Sequence, residues 1–475
     1  MNKSDSERVT SVIEEMGYTW TDDEASADLL GVIACSVRQK AIDKVYSKIN
    51  KWNRWKDKKS LVTFVSGCVL PDDREKFLGL FDMIFQMSEL PQFPEMLSQY
   101  GVVTPFVLRG ENLDTQTAEK ELVLQEESVA VGADFQKFTM PSGKISIAGK
   151  PVLMKKSDEG IKDFWHVKPQ YNSSFEAFIP IQNGCDKFCT YCAVPYTRGR
   201  EISRPSQEIL SEVKRLVESG YKSITLLGQN VNSYGVDKKG EEVSFAELLE
   251  MIGEYGNQCG TKFLLYFTSP HPKDMRDDVL QAMAKYNCLA KWVHLPIQSG
   301  NNHVLIRMHR NHTLDDYRKI VDSIRKYLPQ ATLFTDIIVG FTGETDKEFE
   351  DTAKAMEEFK YNMAYIARYS PRPGAVSARW ADDVPQEAKK ERLHVLTEIL
   401  KKHSYTYNQQ LVGKEFAVLV HGKDRKGQHL AGTTEGKIII RLNSSNEAII
   451  GKFVKVKITS AVEFAAEGDF VEVIG

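Results

Sequence analysis

Six short apolar segments, each followed by a helical segment, constrain the fold more than any other feature of this 475-residue chain. Strands that alternate with helices pair in parallel, because each helix returns the chain to the same edge of the sheet. The repeat therefore predicts a partial (β/α)6 barrel of the TIM type over residues 173–405. The predicted strands lie at 178–181, 223–227, 263–267, 292–294, 335–339 and 364–367. The helix after the fifth strand opens with Thr345-x-x-Glu348, which predicts a capping box.

The first 104 residues show the same alternation on a smaller scale. Apolar runs at 28–34 and 61–65 predict two buried strands, separated by residues with helical spacing. Cys35 follows the first run, and Cys68 lies just beyond the second. We expect an open, flavodoxin-like or Rossmann-like α/β sheet, in which ligands gather at the carboxyl ends of the strands.

Two stretches depart from this alternation. Residues 105–172 are rich in Gln, Glu, Ser, Gly and Lys, which predicts a linker or insertion containing a hairpin. Residues 408–475 carry short β runs between Gly-containing turns, which predicts a small antiparallel barrel of a kind that binds oligonucleotides. Its basic residues form either an RNA-binding face or an ordinary solvated surface. They are Lys414, Lys423, Arg425, Lys426, Lys437, Arg441, Lys452, Lys455 and Lys457.

Composition narrows the class of protein. A hydrophobic fraction of 42% and a charged fraction of 27% indicate a globular chain. No apolar run approaches the roughly 20 residues that span a bilayer, and no apolar signal core follows Met1, so we expect a cytoplasmic protein. The net charge of −3 requires any nucleic-acid contact to come from a local patch. Seven clustered cysteines indicate metal binding in a reducing compartment rather than a disulfide scaffold.

Three cysteines follow the first strand of the repeat in the spacing Cys185-x-x-x-Cys189-x-x-Cys192. Three thiolates this close in sequence suit three irons of a 4Fe–4S cluster and leave the fourth iron open. Structural zinc is the alternative, but zinc sites are closed by four ligands, commonly as two spaced pairs. Because no second pair lies nearby, the spacing favours a cluster.

The sequence Cys185-Asp-Lys-Phe-Cys189-Thr-Tyr191-Cys192 resembles the signature of radical S-adenosylmethionine enzymes. The continuation at 193–205 resembles the methylthiotransferases, and within them the MiaB type. Further stretches match in the order found in that family, and the chain from 412 onward resembles the TRAM domain, a small RNA-binding barrel. The matching stretches lie at 227–235, 267–272, 294–300, 335–345 and 369–374.

This resemblance implies two 4Fe–4S clusters and S-adenosylmethionine as cofactors. It implies insertion of sulfur and transfer of a methyl group at C2 of N6-isopentenyladenosine, at position 37 of tRNA. The implied partners are the anticodon stem-loop of tRNA and an electron donor such as flavodoxin or ferredoxin, with the chain acting as a monomer. The alternatives are a methylthiotransferase for threonylcarbamoyl-adenosine in tRNA or for a ribosomal protein, and a cluster-deficient RNA-binding paralogue.

The resemblance also implies roles for single residues. Cys185, Cys189 and Cys192 would be the catalytic residues that ligate the radical cluster. Arg198, Arg200 and Arg204 are candidates to bind the cofactor carboxylate or an RNA phosphate, and for Arg204 a salt bridge at the barrel rim is an equal alternative. A cofactor contact is the alternative for His271 and His294, for which a structural role is favoured. The implied cofactor contacts are Tyr191, Arg198, Arg200, Gln229, Asn230, Gln298, Ser299, Val339, Gly340 and Phe341.

A second, auxiliary cluster in the family takes three cysteines. Cys35 and Cys68 match the second and third. The first belongs to a Gly-Cys-Gln that precedes the Met-Asn at which this chain begins, so the third ligand is absent from the chain as written and we expect a start farther upstream. Cys259 and Cys288 match no ligand and are interpreted as buried thiols. Smaller departures from the family are Ala34, Thr342 and Gly432-Thr433-Thr434.

Overall fold

The computed structural model describes residues 1–35, 39–100, 158–424 and 427–474. The chain divides into two compact units: Met1–Asn172 together with Tyr196–Arg198, and Ser173–Pro195 together with Gly199–Gly475. The hairpin is predicted within residues 105–172, of which 105–157 lie outside the described residues. The described chain resumes at Asp158, where a helix begins. None of the helices in the described part of the chain is long and apolar enough to cross a bilayer.

The first unit contains a parallel three-stranded sheet in the order β1-β2-β3. Its strands are β1 (Leu29–Cys35), β2 (Val62–Cys68) and β3 (Met83–Ile84). Its α-helices are α1 (Asn2–Glu15), α2 (Gln39–Lys56), α3 (Pro71–Leu78), α4 (Phe93–Ser98) and α5 (Asp158–His166), with a 3-10 helix at Met87–Gln92. Ile49, Trp52, Val65 and Phe77 form the centre of its core. Both predicted strands and the predicted parallel α/β sheet are confirmed.

Helix α1 buries polar and charged side chains in addition to apolar ones. Ser4, Asp5, Glu7 and Arg8 are all fully buried. The Arg8 guanidinium donates to the Ser4 hydroxyl at 2.6 Å and lies 5.4 Å from the ring centroid of Phe164 in α5. Buried charges need such partners, because an unpaired ion in the interior is costly. Val9, Val12 and Met16 are buried as well and recur at helical spacing, so polar and apolar side chains share the buried face of this helix.

The second unit begins with six parallel strands. They are β4 (Glu176–Pro180), β7 (Ser223–Leu227), β8 (Leu264–Phe267), β9 (Trp292–His294), β10 (Thr332–Val339) and β11 (Met363–Arg368). They form the sheets β4-β7-β8 and β9-β10-β11, which a parallel bridge between Leu265 and Leu289 connects. A short antiparallel pair, β5 (Gln182–Asn183) and β6 (Ile202–Ser203), follows the first strand. This arrangement confirms the predicted partial barrel.

Helices alternate with these strands. The α-helices are α6 (Val194–Thr197), α7 (Ser206–Glu218), α8 (Phe245–Gln258), α9 (Asp277–Lys285), α10 (Asn302–Arg307), α11 (Leu314–Tyr327), α12 (Asp346–Phe359) and α13 (Gln386–Gln409). Short 3-10 helices lie at Val231–Ser233, Val236–Lys238, Pro272–Asp274, Val376–Arg379 and Glu447–Ile449. The predicted capping box is present at the start of α12, where Thr345 and Glu348 satisfy each other's backbone N–H.

The C-terminal strands form a closed five-stranded barrel in the order β12-β13-β14-β16-β15. They are β12 (Glu415–Lys423), β13 (Leu430–Thr434), β14 (Ile439–Leu442), β15 (Phe453–Val462) and β16 (Ala465–Val473). Val418, Val420, Ile440, Val454 and Val456 fill its interior. The barrel was predicted to be antiparallel, but β14 and β16 pair in parallel, because β16 closes the barrel against a strand two places earlier in the chain.

The turn between β13 and β14, residues 435–437, packs against the parallel strands. The Thr332 hydroxyl, at the start of β10, donates to the Gly436 carbonyl at 2.7 Å. The Lys437 ammonium lies 3.7 Å from the ring centroid of Tyr266. The two barrels also share one apolar cluster, formed by Leu264, Tyr266, Ala290, Trp292, Phe334, Leu419 and Phe453. The C-terminal barrel therefore closes the N-terminal end of the parallel barrel.

Candidate active site

The cysteine triplet lies on the loop that follows β5. The Cys192 N–H donates to the Cys189 carbonyl at 2.9 Å, which closes a tight turn. Between them, the Thr190 N–H donates to the carbonyl of Met308 at 3.1 Å and so fixes the loop beside the end of α10. Cys185 and Cys189 are buried, and Cys192 is half-buried.

The protonation of these thiols is governed by their burial, by their mutual repulsion and by Arg310. Burial raises the pKa of Cys185 to about 12, and the nearby Cys192 and Cys189 raise it too, because thiolates repel one another. Arg310 supplies a compensating charge: its Nη1 lies 3.4 Å from Cys189 Sγ and 3.4 Å from the Tyr191 hydroxyl. A bound metal deprotonates a coordinating thiol outright, so the loop is suited to receive a cationic group.

The donor set fits an iron–sulfur cluster better than a single ion. Over the segments that the structure describes, no group of three or more His, Cys, Asp or Glu side chains is placed to hold one metal ion. A structural zinc site needs four ligands around that ion. A cubane cluster instead takes each thiolate on a separate iron, so three cysteines on one short loop suffice and one iron keeps no protein ligand.

An aromatic cluster stands beside the cysteine loop. The Phe341 ring, just after β10, lies 4.9 Å from the Tyr369 ring and 6.5 Å from the Tyr191 ring, centroid to centroid. Val304 and Met308 belong to the same cluster. The structure therefore brings together Tyr191 and Phe341, two of the predicted cofactor contacts, which are far apart in the sequence.

The loop after β10 is held from two directions. Gly340 (φ +68°) donates its N–H to Glu344 Oε2 at 2.6 Å, and Arg392 Nη1 donates to the same oxygen at 2.8 Å. Burial raises the pKa of Glu344 to about 6. The fully buried Lys389 lies so close that a Cβ on residue 340 would come within 2.3 Å of its Cγ. Glycine is needed here for both its backbone angle and its size, and it follows the fully buried Val339.

Two amide side chains follow β7. The Asn230 amide donates to Ser233 Oγ at 2.8 Å and to Asp274 Oδ2 at 2.9 Å. Its Oδ1 and the Oε1 of Gln229 are buried without a hydrogen bond from any described residue. Glu201, whose pKa burial raises to about 7, accepts the Ser233 hydroxyl at 2.5 Å. Because buried acceptors are rarely left unsatisfied, these oxygens mark a place for a ligand with N–H groups, such as an amino acid ammonium.

Gln298 and Ser299 make contacts that support the barrel. The Gln298 N–H donates to the Asp336 carbonyl at 2.9 Å, and its φ is +70°. The fully buried Ser299 hydroxyl lies 3.2 Å from Thr352 Oγ1 in α12. These bonds connect the end of β9 to β10 and α12. Their role as cofactor contacts stays a prediction.

The two histidines occupy different surroundings. His271 is buried, and its Nδ1 accepts the Lys273 N–H at 3.2 Å. Burial strongly lowers its pKa, so the ring is neutral. His294 lies with its Nε2 3.0 Å from Asp336 Oδ2. The contacts of His271 agree with the structural interpretation, whereas His294 pairs with a half-exposed carboxylate.

In the first unit, the two predicted auxiliary ligands come side by side. Cys35 and Cys68 end β1 and β2 and are partners in the parallel register, and such strands lie about 4.8 Å apart. Arg198, predicted to contact the cofactor, is buried here: its Nε donates to Cys68 Sγ at 3.0 Å and its guanidinium pairs with the fully buried Asp5. These contacts place Arg198 beside Cys68, and its role as a cofactor contact stays a prediction.

The other two arginines also have acidic partners. Arg200 is exposed and pairs with Asp186 through two hydrogen bonds of 2.6 and 2.9 Å. Arg204 is buried and pairs with Glu212 and, at 3.1 Å, with Glu208. The salt bridge that the sequence left as an equal alternative for Arg204 is therefore present.

Sequence reasoning missed several residues of this region. Arg310, Lys389 and Arg392 reach the site from loops and helices far along the chain, and no local motif marks them. It also placed both remaining thiols in the interior. Cys288 is buried, but Cys259, which follows the last residue of α8, is only half-buried, and its thiol donates to the Thr261 carbonyl at 3.4 Å.

Several basic residues of the C-terminal barrel are already engaged. Ion pairs join Lys423 to Glu447, Arg441 to Glu467 and Lys455 to Glu472. Burial against Tyr266 lowers the pKa of Lys437 to about 8. Arg425 and Lys426 lie outside the described residues. Of the basic residues predicted to form an RNA-binding face, Lys414, Lys452 and Lys457 are exposed and belong to none of these ion pairs.

Comparison with known families supports each part of this architecture. Residues 179–356 match the model of the Radical SAM superfamily, residues 1–86 match "Uncharacterized protein family UPF0004", and residues 409–471 match the TRAM domain. Among solved structures, the chain is similar to the cobalamin-dependent S-adenosylmethionine radical enzyme OxsB (15% identity, 84% of this chain, 51% of that chain, TM-score 0.42). It is also similar to coproporphyrinogen III oxidase (HemN) from Escherichia coli (14%, 60%, 66%, TM-score 0.38).

The barrel and its cysteine loop thus define a radical S-adenosylmethionine enzyme. Two relatives narrow the class further, and both are named tRNA-2-methylthio-N(6)-dimethylallyladenosine synthase. The protein from Carboxydothermus hydrogenoformans is 36% identical over 99% of this chain and 97% of its own length. That from Vibrio parahaemolyticus is 33% identical over 99% and 90%. The chain belongs to the family of these synthases.

Proposed function

We propose that this chain synthesises 2-methylthio-N6-isopentenyladenosine in tRNA. It would insert sulfur at C2 of the base and transfer a methyl group to that sulfur. The observation that carries the proposal is the similarity to the Carboxydothermus hydrogenoformans synthase, which extends over 99% of this chain. A radical cofactor is needed because no side chain removes hydrogen from an unactivated aromatic C–H bond. The names of the relatives support this substrate over a ribosomal protein or threonylcarbamoyl-adenosine.

Particular side chains would hold the cofactors. Cys185, Cys189 and Cys192 would ligate the radical 4Fe–4S cluster, with Arg310 balancing the charge of the thiolates. Together with S-adenosylmethionine, that cluster supplies a carbon radical. The unsatisfied amide oxygens after β7 would accept the ammonium group of S-adenosylmethionine. The aromatic cluster around Phe341 would exclude water.

Further roles follow from the same proposal. Cys35 and Cys68 would contribute to the auxiliary 4Fe–4S cluster, beside which the buried Arg198 donates to sulfur. We assign 1–104 to the auxiliary-cluster domain, 105–172 to an insertion, 173–405 to the radical core and 408–475 to the TRAM domain. The C-terminal barrel would bind the anticodon stem-loop of tRNA. A flavodoxin or ferredoxin would donate electrons to a monomeric, cytoplasmic enzyme.

The test is mass spectrometry of tRNA nucleosides from cells with and without the gene. Deletion should remove 2-methylthio-N6-isopentenyladenosine and leave N6-isopentenyladenosine in its place. Complementation with Cys189→Ala should fail, because the radical cluster loses a ligand. Cys288→Ala, which changes a buried thiol away from the loop, is the matched control and should restore the product.

Two results would contradict the proposal. Unchanged product in the deletion strain would show that another enzyme makes it. Loss of a methylthio group from threonylcarbamoyl-adenosine alone would assign the chain to the other tRNA substrate.

A further inference from the structure

The inner face of the parallel barrel is closed and apolar at the N-terminal ends of its strands. The Trp292 ring lies 5.6 Å from the Phe334 ring and 5.9 Å from the Tyr266 ring. Leu419 and Phe453 of the C-terminal barrel pack into the same cluster. Such tight filling is the usual condition of a barrel interior.

One step farther along the strands, the inner face becomes polar and open. His294 Nε2 lies 3.0 Å from Asp336 Oδ2, and the His294 ring lies 5.7 Å from the Tyr365 ring at an interplanar angle of 67°. Asp336 and Tyr365 are register partners on β10 and β11. Although both are within strands of the barrel, Tyr365 is 51% exposed and the Asp336 side chain is 34% exposed. Interior packing therefore does not explain these side chains.

This group lies next to the aromatic cluster beside the cysteine loop. Ile338 follows Asp336 by two residues, so its side chain lies on the same face of β10, about 7 Å farther along. Ile338 and Tyr191 of the cysteine loop both pack against the cluster that contains Phe341. A ligand on Tyr365 and Asp336 would thus sit between the closed floor of the barrel and the residues around the cysteines.

We propose that His294, Asp336 and Tyr365 form the subsite for the target nucleobase of the RNA. The exposed ring of Tyr365 offers a face on which a base can stack, an interaction that any base can make. The Asp336 carboxylate accepts hydrogen bonds and so suits an N–H group on the edge of a purine. His294 lies beside that carboxylate, with its Nε2 3.0 Å from Oδ2. The inference rests on the proposed function, which supplies the substrate class, an N6-substituted adenosine within an RNA loop.

The test measures binding of two stem-loop RNAs to the full chain loaded with its clusters. One RNA carries N6-isopentenyladenosine at the target position, and the other carries an abasic site there. Tyr365→Ala removes the ring, and Tyr365→Phe keeps it. Tyr405→Ala removes a 40% exposed tyrosine from α13 and is the matched control.

We expect Tyr365→Ala to weaken binding of the prenylated RNA by about 5- to 140-fold, the range that corresponds to loss of one base–aromatic stack. Tyr365→Phe and Tyr405→Ala should stay within about 3-fold of the parent, since stacking persists in both. The abasic RNA should bind Tyr365→Ala and the parent equally, because the ring has no base to contact. The affinity for S-adenosylmethionine, from equilibrium dialysis, should not change, which excludes general misfolding.

Equal losses of affinity for both RNAs on Tyr365→Ala would overturn the subsite, because the ring would then act independently of the base. A loss in Tyr405→Ala as large as in Tyr365→Ala would overturn it too. Failure of the proposed function appears separately, as a parent enzyme that makes no methylthiolated product from the prenylated RNA. Asp336→Asn gives a second readout: it should lower kcat/KM for this RNA at least about 10-fold, with the thermal midpoint unchanged, as expected for a lost charge-assisted hydrogen bond.

Discussion

Replacing Gly340 by alanine would show how firmly α13 fixes the loop after β10. The backbone there has φ +68°, in the left-handed region that costs a residue with a Cβ about 1–2 kcal/mol. The new Cβ would also come within 2.3 Å of Lys389 Cγ. Lys389 has little freedom to move, because its ammonium donates to the Tyr369 carbonyl at 3.3 Å and pairs with Asp382. Overpacking of this kind adds about 1–3 kcal/mol.

A matched control isolates the clash. Gly413 also has a positive φ, +84°, but a Cβ there would meet nothing within 4 Å. Gly413→Ala should therefore cost only the free energy of placing a residue with a Cβ in the left-handed region. Both substitutions reduce the entropy of the unfolded chain equally. Gly340→Ala should be less stable than Gly413→Ala by about 1–3 kcal/mol, which is the overpacking term alone.

The assay is thermal unfolding of the cluster-free protein, compared through the midpoint of the first transition, because a chain of several domains has no single unfolding free energy. The midpoint of Gly340→Ala should fall roughly 2–6 °C below that of Gly413→Ala. Adding Lys389→Ala should reduce the penalty of Gly340→Ala, since the two sites touch and their effects are coupled. Equal midpoints for the two single variants would refute the idea that Lys389 confines the loop.

Three further substitutions test other contacts. Burial raises the pKa of Glu344 to about 6, so between about pH 4.5 and 6 the folded protein holds a proton that the unfolded chain releases. The stability of the protein should therefore fall as the pH rises through that window. Glu344→Gln should make this fall smaller, as measured by urea unfolding midpoints. Arg198→Met should destabilise the first unit by about 3–5 kcal/mol by leaving the buried Asp5 unpaired, and adding Asp5→Asn should recover part of the loss in thermal melts. Burial lowers the pKa of Lys437 to about 8, so Lys437 binds its proton less tightly in the folded state than in the unfolded chain. Lys437→Met should therefore be more stable than the parent at pH 7. The difference in unfolding free energy, from denaturant titrations, should become smaller above pH 8.

Much of the fold was predictable, because most residues in the strands of the parallel barrel are apolar. The segments at 223–227 and 292–294 coincide with β7 and β9. Continuous apolar runs of this kind are what parallel strands covered by helices require. The two-residue strands β3, β5 and β6 left no such run. Helix α1 buries Val9 and Val12 but also Ser4, Asp5, Glu7 and Arg8, and these polar side chains obscure its apolar spacing in the sequence.

The candidate site was predictable where its residues lie in one short motif. The three cysteines fall within eight residues of sequence, and the structure keeps them on one loop. Arg310 contacts Cys189, and Lys389 contacts Gly340, only because distant segments meet in the folded barrel. Long-range contacts of this kind have no local signal. The contacts of Arg198 with Asp5 and Cys68 likewise join segments that are far apart in the sequence.

The apolar cluster shared by the two barrels affects how the chain folds during synthesis. Synthesis proceeds from the N-terminus, and domains generally fold as they emerge. The parallel barrel, however, cannot cover Tyr266 and Trp292 until β12 and β15 have been translated, since Leu419 and Phe453 complete that cluster. A nascent chain stalled near residue 405 would therefore display an open apolar floor and a site for chaperones. For the same reason the C-terminal barrel cannot be replaced alone by that of a relative. The residues of the parallel barrel that it covers, such as Tyr266 and Trp292, would have to be replaced with it.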